Sequence, residues 1–272
     1  MTSSISRSFS SPAMSPSALP ASESIDTSSS TSTSSTSSTS LSTRSQPVYP
    51  LKEGFPAGYA FDRIYKVFLG TAGISGNRPL AVSFFGPFHV LAAHDAVYAL
   101  SFVAHIDSYT NIQSLKSCLG ILNLKAGGSW ERNILPQLQW CLAGGWQDDS
   151  ISRENGDSIL SILASKGVPS ERIDLSKYRS KSSRSEDLAQ LDPELNPHAF
   201  FGAYMDPKEG ILREFTKTWE EFEAEEERTS QARVDQAIDY ELARSGATTA
   251  SVDTRERIAD TLRFPLTLKI VE

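Results

Sequence analysis

Apolar residues along this chain fall into two kinds of pattern. The first is the nearly continuous run. Residues 80–85 (LAVSFF), 88–93 (FHVLAA), 97–104 (VYALSFVA) and 138–143 (LQWCLA) are each long enough for a strand. Runs this apolar predict strands covered on both faces, and His94-Asp95-Ala96 spaces the second and third as a hairpin. The second is helical spacing. Ile112, Leu115, Cys118, Leu119 and Leu122 fall on one face of a helix over 111–122. A further helical pattern runs to about Lys166, with Ile151, Ile159, Ile162 and Leu163 as its apolar positions, Gly167 as a C-cap and Pro169 beyond.

The remaining segments are more ambiguous. Residues 61–69 are apolar and fit either a strand or a short helix. Residues 70–79 (GTAGISGNRP) read as a turn-rich loop without the spacing or the Lys-Ser/Thr of a phosphate-binding loop. A short strand is expected at 172–175 and a polar insertion loop at 178–197. Residues 198–204 (HAFFGAY) and 210–215 (GILREF) flank a turn and predict a hairpin. A long acidic helix at 219–244 is read with Glu220 to Glu227 as a solvated face and Trp219 and Phe222 as its buried side. A helix at 255–264 and a strand at 266–271 complete the sequence. Strands interleaved with helices, with hairpins as well as crossovers, give a layered α/β or α+β domain: a mixed sheet with flanking helices.

Composition sets the limits. Of 272 residues, 1–47 form a Ser/Thr-rich tract that cannot bury enough apolar surface to fold and is expected to be disordered. Residues 48–272 suffice for a single globular domain. The net charge of −7 argues against nucleic acid or an anionic membrane as partner. No apolar run is long enough for a transmembrane helix. Two cysteines, Cys118 and Cys141, fit a reducing compartment, and a cytoplasmic location is expected. Arg7 and Arg44 among many serines leave a mitochondrial presequence or an effector-type secretion leader as alternatives. Neither a metal site nor a cofactor site has a ligand set. The oligomeric state is not legible.

Certain motifs, taken together, carry a resemblance. They are Phe88-His89-Val90-Leu91, Ala104-His105-Ile106-Asp107-Ser108-Tyr109-Thr110, Leu138 through Asp149 (LQWCLAGGWQDD), Phe201-Gly202-Ala203-Tyr204 and Thr261-Leu262-Arg263-Phe264. Their order and spacing resemble the protein N-terminal asparagine amidohydrolases and, more distantly, the CheD and CNF-type deamidases. The resemblance implies their fold and a reaction in which a cysteine thiolate attacks a side-chain carboxamide, aided by a histidine. The substrate would then be a protein or peptide N-terminus. By position the histidine corresponds to His105, followed by Asp107. The cysteine would fall at 88, where this chain has Phe88. A second register, in which Phe68-Leu69-Gly70-Thr71-Ala72 matches the CheD-like nucleophile turn, puts Ala72 at the cysteine position and His89 at the histidine.

Neither register supplies a thiol, so deamidation depends on a relocated nucleophile. Cys141, in a strand beside Trp140, is the first candidate. Cys118 sits on an apolar helix stripe and reads as core, and Ser83, Thr71 and Ser101 are hydroxyls without an evident base. His89, His94 and His198 read as strand-end residues, and Asp148 and Asp149 as a helix cap. His105, Cys141 and Asp107 are therefore the candidate catalytic set of an amidohydrolase-like protein that is divergent or inactive. A non-catalytic binding or regulatory protein on the same scaffold, and an effector-like deamidase, are the alternatives.

Overall fold

The computed structural model describes residues 63–83, 86–181, 202–215, 220–246 and 251–272, with backbone alone at 180–181, 215 and 220–223. All of these belong to the unit Tyr49–Glu272. The tail expected at 1–47, most of the insertion loop expected at 178–197, and His198, Trp219 and the Phe222 side chain lie outside the described residues.

In chain order the strands and helices are β1 (Tyr65–Lys66), β2 (Thr71–Ser75), β3 (Leu80–Val82), β4 (His89–Asp95), β5 (Leu100–Ile106), β6 (Thr110–Asn111), α1 (Leu115–Lys125), β7 (Gln139–Trp146), α2 (Ser150–Ser165), β8 (Ile173–Asp174), β9 (Tyr178–Lys181), β10 (Gly202–Met205), β11 (Leu212–Phe215), α3 (Glu220–Arg244), α4 (Val252–Thr261), β12 (Phe264–Pro265) and β13 (Thr267–Val271). The main sheet runs β13-β2-β5-β4-β7-β8, with β9 also on β7. Its centre is antiparallel and its two edges are parallel, so the expected mixed sheet is present.

The apolar runs explain the layering. All seven residues of β4 are buried, alternating between two cores. Leu91 and Ala93, with Phe102, Ala104 and Ile106 of β5 and Trp140 and Leu142 of β7, pack against Leu115, Leu119 and Leu122 of α1 and Ile159, Ile162 and Leu163 of α2. Val90 and Ala92, with Val103, Cys141 and Ala143, face Leu80 and Val82 of β3, Ala203 and Met205 of β10 and Leu212 of β11. Those last strands belong to a second sheet, ordered β1-β3-β10-β11. The domain is thus helices on sheet on sheet. On α2, Ile151 is exposed, whereas Ile159, Ile162 and Leu163 are buried as expected.

Several segments depart from the sequence reading: β9 opens the expected insertion loop, the helix expected at 255–264 is α4 with Phe264 already in β12, and the run at 97–104 begins with exposed Val97 and Tyr98 before β5. Residues 70–79, expected as a loop, contain β2, an interior strand of the main sheet. Its residues (TAGIS) are small, with Ile74 the one large apolar side chain, so hydrophobic pattern carries little signal there. Gly73 carries no side chain where Leu80 of β3 and Val67, just after β1, press against the strand.

Gly144 and Gly145 end the regular part of β7, with φ of 80° and 78°. Gly145 donates its amide to the Phe88 carbonyl at 2.9 Å. A Cβ added there would stand 2.6 Å from His89 Nε2. Gly145→Ala therefore meets both a left-handed backbone and a collision with a buried ring. We expect it to destabilise the fold by about 3 kcal/mol, read as a lowered urea midpoint at unchanged slope.

Candidate functional site

His105 lies near the end of β5, opposite Thr71 of β2 and Val90 of β4. Directly opposed residues of antiparallel strands share a face. His105 therefore points, with Val90, toward the second sheet. It is fully buried. Phe88, at the position that the resemblance assigns to a cysteine, continues the alternation of β4 onto this same face. Its ring meets the His105 ring edge-on, 6.4 Å between centroids at 69°.

The acid beside His105 is Glu226, on α3, rather than Asp107. Glu226 Oε1 lies 3.2 Å from His105 Nδ1. The same oxygen accepts a hydrogen bond from the Leu69 amide at 2.8 Å, and Oε2 accepts one from the Ser83 hydroxyl. Glu226 is fully buried, which corrects the reading of Glu220 to Glu227 as a solvated face. Six of the seven residues from Ala224 to Ser230 are exposed or half-exposed; Glu226 alone turns in. A glutamate-rich run hides such a residue, because its neighbours share its type and not its environment.

Asp107 is buried and engaged elsewhere. Its Oδ1 accepts from the Thr110 hydroxyl at 2.6 Å, and its Oδ2 pairs with Arg233 Nη2 of α3 at 2.7 Å. Arg233 also donates to the Leu69 carbonyl at 3.1 Å and lies 4.7 Å above the Phe264 ring. Asp107 and His105 thus both meet α3, through separate partners.

Cys141 faces the second sheet too, but it lies two strands and two residues away from His105, about 12 Å by strand geometry. Burial, reinforced by Asp174, pushes its thiol up to about 12. Burial likewise raises Cys118 to about 11, and its Sγ is 3.8 Å from the Leu266 carbonyl against which it packs. Ser83 is committed to Glu226, Thr71 donates to the Phe68 carbonyl at 2.8 Å, and Ser101 lies 3.4 Å from His94 Nδ1. The structure therefore brings His105, Ser83 and Glu226 together and leaves Cys141 apart.

His89, the histidine of the second register, points to the opposite face of the sheet, toward the helices. It opposes Ile106 and Gly144. Its Nε2 is buried and has no hydrogen-bond partner among the described residues. The Tyr178 ring stands 5.9 Å away. Burial, aided by the Arg179 charge, lowers its pKa to about 4. Nearby, Asp149 caps α2 by accepting from the Ser152 amide at 2.7 Å, as the cap reading expects, and the Ser152 hydroxyl donates to the Pro87 carbonyl at 2.8 Å.

Among the described residues, no group of three His, Cys, Asp or Glu side chains is placed to hold a metal ion, and no helix is long and apolar enough to cross a membrane. No protein-family model matches this chain, and no curated protein matches it in sequence.

Two expectations follow from these environments. Both thiols should resist alkylation by iodoacetamide in the native protein near pH 8 and react once it is unfolded, as counted by intact mass. For His89, the unfolded chain takes up a proton near 6.5 and the folded chain only near 4. Between those values the unfolded state binds more protons, so stability is complete above the upper value and is lost as pH falls toward the lower. The loss should reach about 3 kcal/mol. Unfolding measured across this range should show it, and His89→Leu should flatten the dependence.

Proposed function

We propose that this chain is an N-terminal-asparagine-amidohydrolase-like protein in which amide hydrolysis has been lost and the scaffold serves binding or regulation. The observation that carries this is Phe88 packed edge-on against a fully buried His105. Carboxamide hydrolysis by the family's route needs a thiolate within reach of a histidine that can pass a proton to the leaving nitrogen. Here an aromatic ring stands in the thiol's place.

Relocation does not repair this. With a pKa of about 12, Cys141 would be ionised at roughly three parts in a hundred thousand near pH 7.5. Ser83 has a carboxyl partner, but that carboxyl lies between it and the imidazole. The arrangement reverses the usual order, in which the base contacts the nucleophile and the acid orients the base.

The test is ammonia release from Asn-initiated and Gln-initiated peptides at high protein concentration. We expect none above the protein-free control. Release that disappears in His105→Ala or Cys141→Ala, with the fold intact by circular dichroism, would overturn the proposal.

A further inference from the structure

Glu226 is fully buried on a stretch of helix that is otherwise turned toward solvent. Ala224, Glu227, Arg228 and Thr229 are exposed, and the first buried apolar residue after Glu226 is Val234, more than two turns on. From Val234 onward, α3 is held by apolar packing: Val234, Ile238 and Leu242 meet Ala259 of α4 and Tyr109, Ile258, Leu262 and Phe264. Before Val234, the described side chains hold α3 by polar contacts. Glu225 pairs with Lys66, Glu226 enters the body, and Arg233 pairs with Asp107.

The groups around the Glu226 carboxyl come from three places in the body: two hydrogen-bond donors and a histidine ring nitrogen 3.2 Å away. Leu69 supplies an amide from the turn before β2. That turn is held to the body by the Gly70 amide on the His105 carbonyl at 2.8 Å and the Thr71 hydroxyl on the Phe68 carbonyl, in addition to the Arg233 contact from α3. Ser83 supplies a hydroxyl just after β3, and His105 supplies a ring nitrogen near the end of β5. The two sheets would hold these groups in place whichever carboxyl they met.

We propose that Leu69 N–H, Ser83 and His105 form a carboxyl-binding seat, filled in cis by Glu226, that takes an acidic side chain of a partner peptide when the first half of α3 lifts. Lys66, which pairs with Glu225, puts a cationic group of the body beside the seat, so the peptide that fits carries adjacent acidic residues, as α3 does at Glu225 and Glu226. This proposal rests on the protein being a binding module. The ammonia assay and the experiment below fail independently.

Glu226→Ala removes a carboxymethyl group, which acetate can replace. We expect the variant to melt below wild type and to regain stability saturably with sodium acetate at constant ionic strength, while wild type responds no more to acetate than to chloride. If the variant does not fold unaided, acetate should restore folding when present during refolding. The second arm uses a labelled synthetic peptide with the sequence of residues 219–236, followed by fluorescence anisotropy. It should bind Glu226→Ala at least about tenfold more tightly than wild type, because the cis competitor is gone. The same peptide with alanine at its two positions matching Glu225 and Glu226 should lose that gain. Failure of acetate to stabilise or refold the variant would overturn the seat. Equal binding of both peptides would overturn the acidic partner.

Discussion

A strand whose residues are all buried cannot stand on a solvent-facing sheet. It requires cover on both sides, and β4 imposes that requirement on everything around it. Helices α1 and α2 meet one face and the four-stranded second sheet meets the other. Large apolar side chains in each core are removed from water, and each fully buried leucine contributes on the order of 2 kcal/mol relative to exposure. Polar groups on β4 and β5 are admitted where a partner or a neutral state makes burial tolerable. His105 has Glu226 beside it, and His89 remains neutral until the solution is markedly acidic.

The same two-sided burial separates the two histidines that the family resemblance makes candidates. They stand near the same end of adjacent strands, yet one residue of register puts them on opposite faces. His105 looks toward the second sheet and α3, and His89 toward α2 and Tyr178. A reaction that needed both would have to cross the sheet. The chemistry open to either face is set by its own neighbours: an aromatic ring and a carboxyl for His105, a glycine corner and a tyrosine for His89.

Much of the fold was legible because its signals are strong and local. Long apolar runs marked β4, β5 and β7. Helical spacing marked α1, and a capping aspartate with a closing glycine marked α2. Strand β2 was not legible, since Thr-Ala-Gly-Ile-Ser has neither bulk nor alternation and its place is decided by what packs on it. Strand β9, at the start of what reads as a polar loop, owes its existence to pairing with β7. At the site, His105 and Asp107 were found by position in a motif. Glu226 could not be, because its burial depends on contacts more than a hundred residues away in sequence with Leu69, Ser83 and His105.

The pairing of β13 with β2 joins segments from near the two ends of the described fold. The β4–β5 hairpin, by contrast, closes over a turn of a few residues. Loop-closure entropy makes the first kind of contact slow to form and the second quick. While the polypeptide is being synthesised, the hairpin can pair soon after its residues appear, whereas β2 must wait with one edge open for almost the whole remaining length. The small, weakly apolar composition that made β2 hard to read is well suited to that wait, because an unpaired edge poor in large hydrophobic side chains offers little to neighbouring chains.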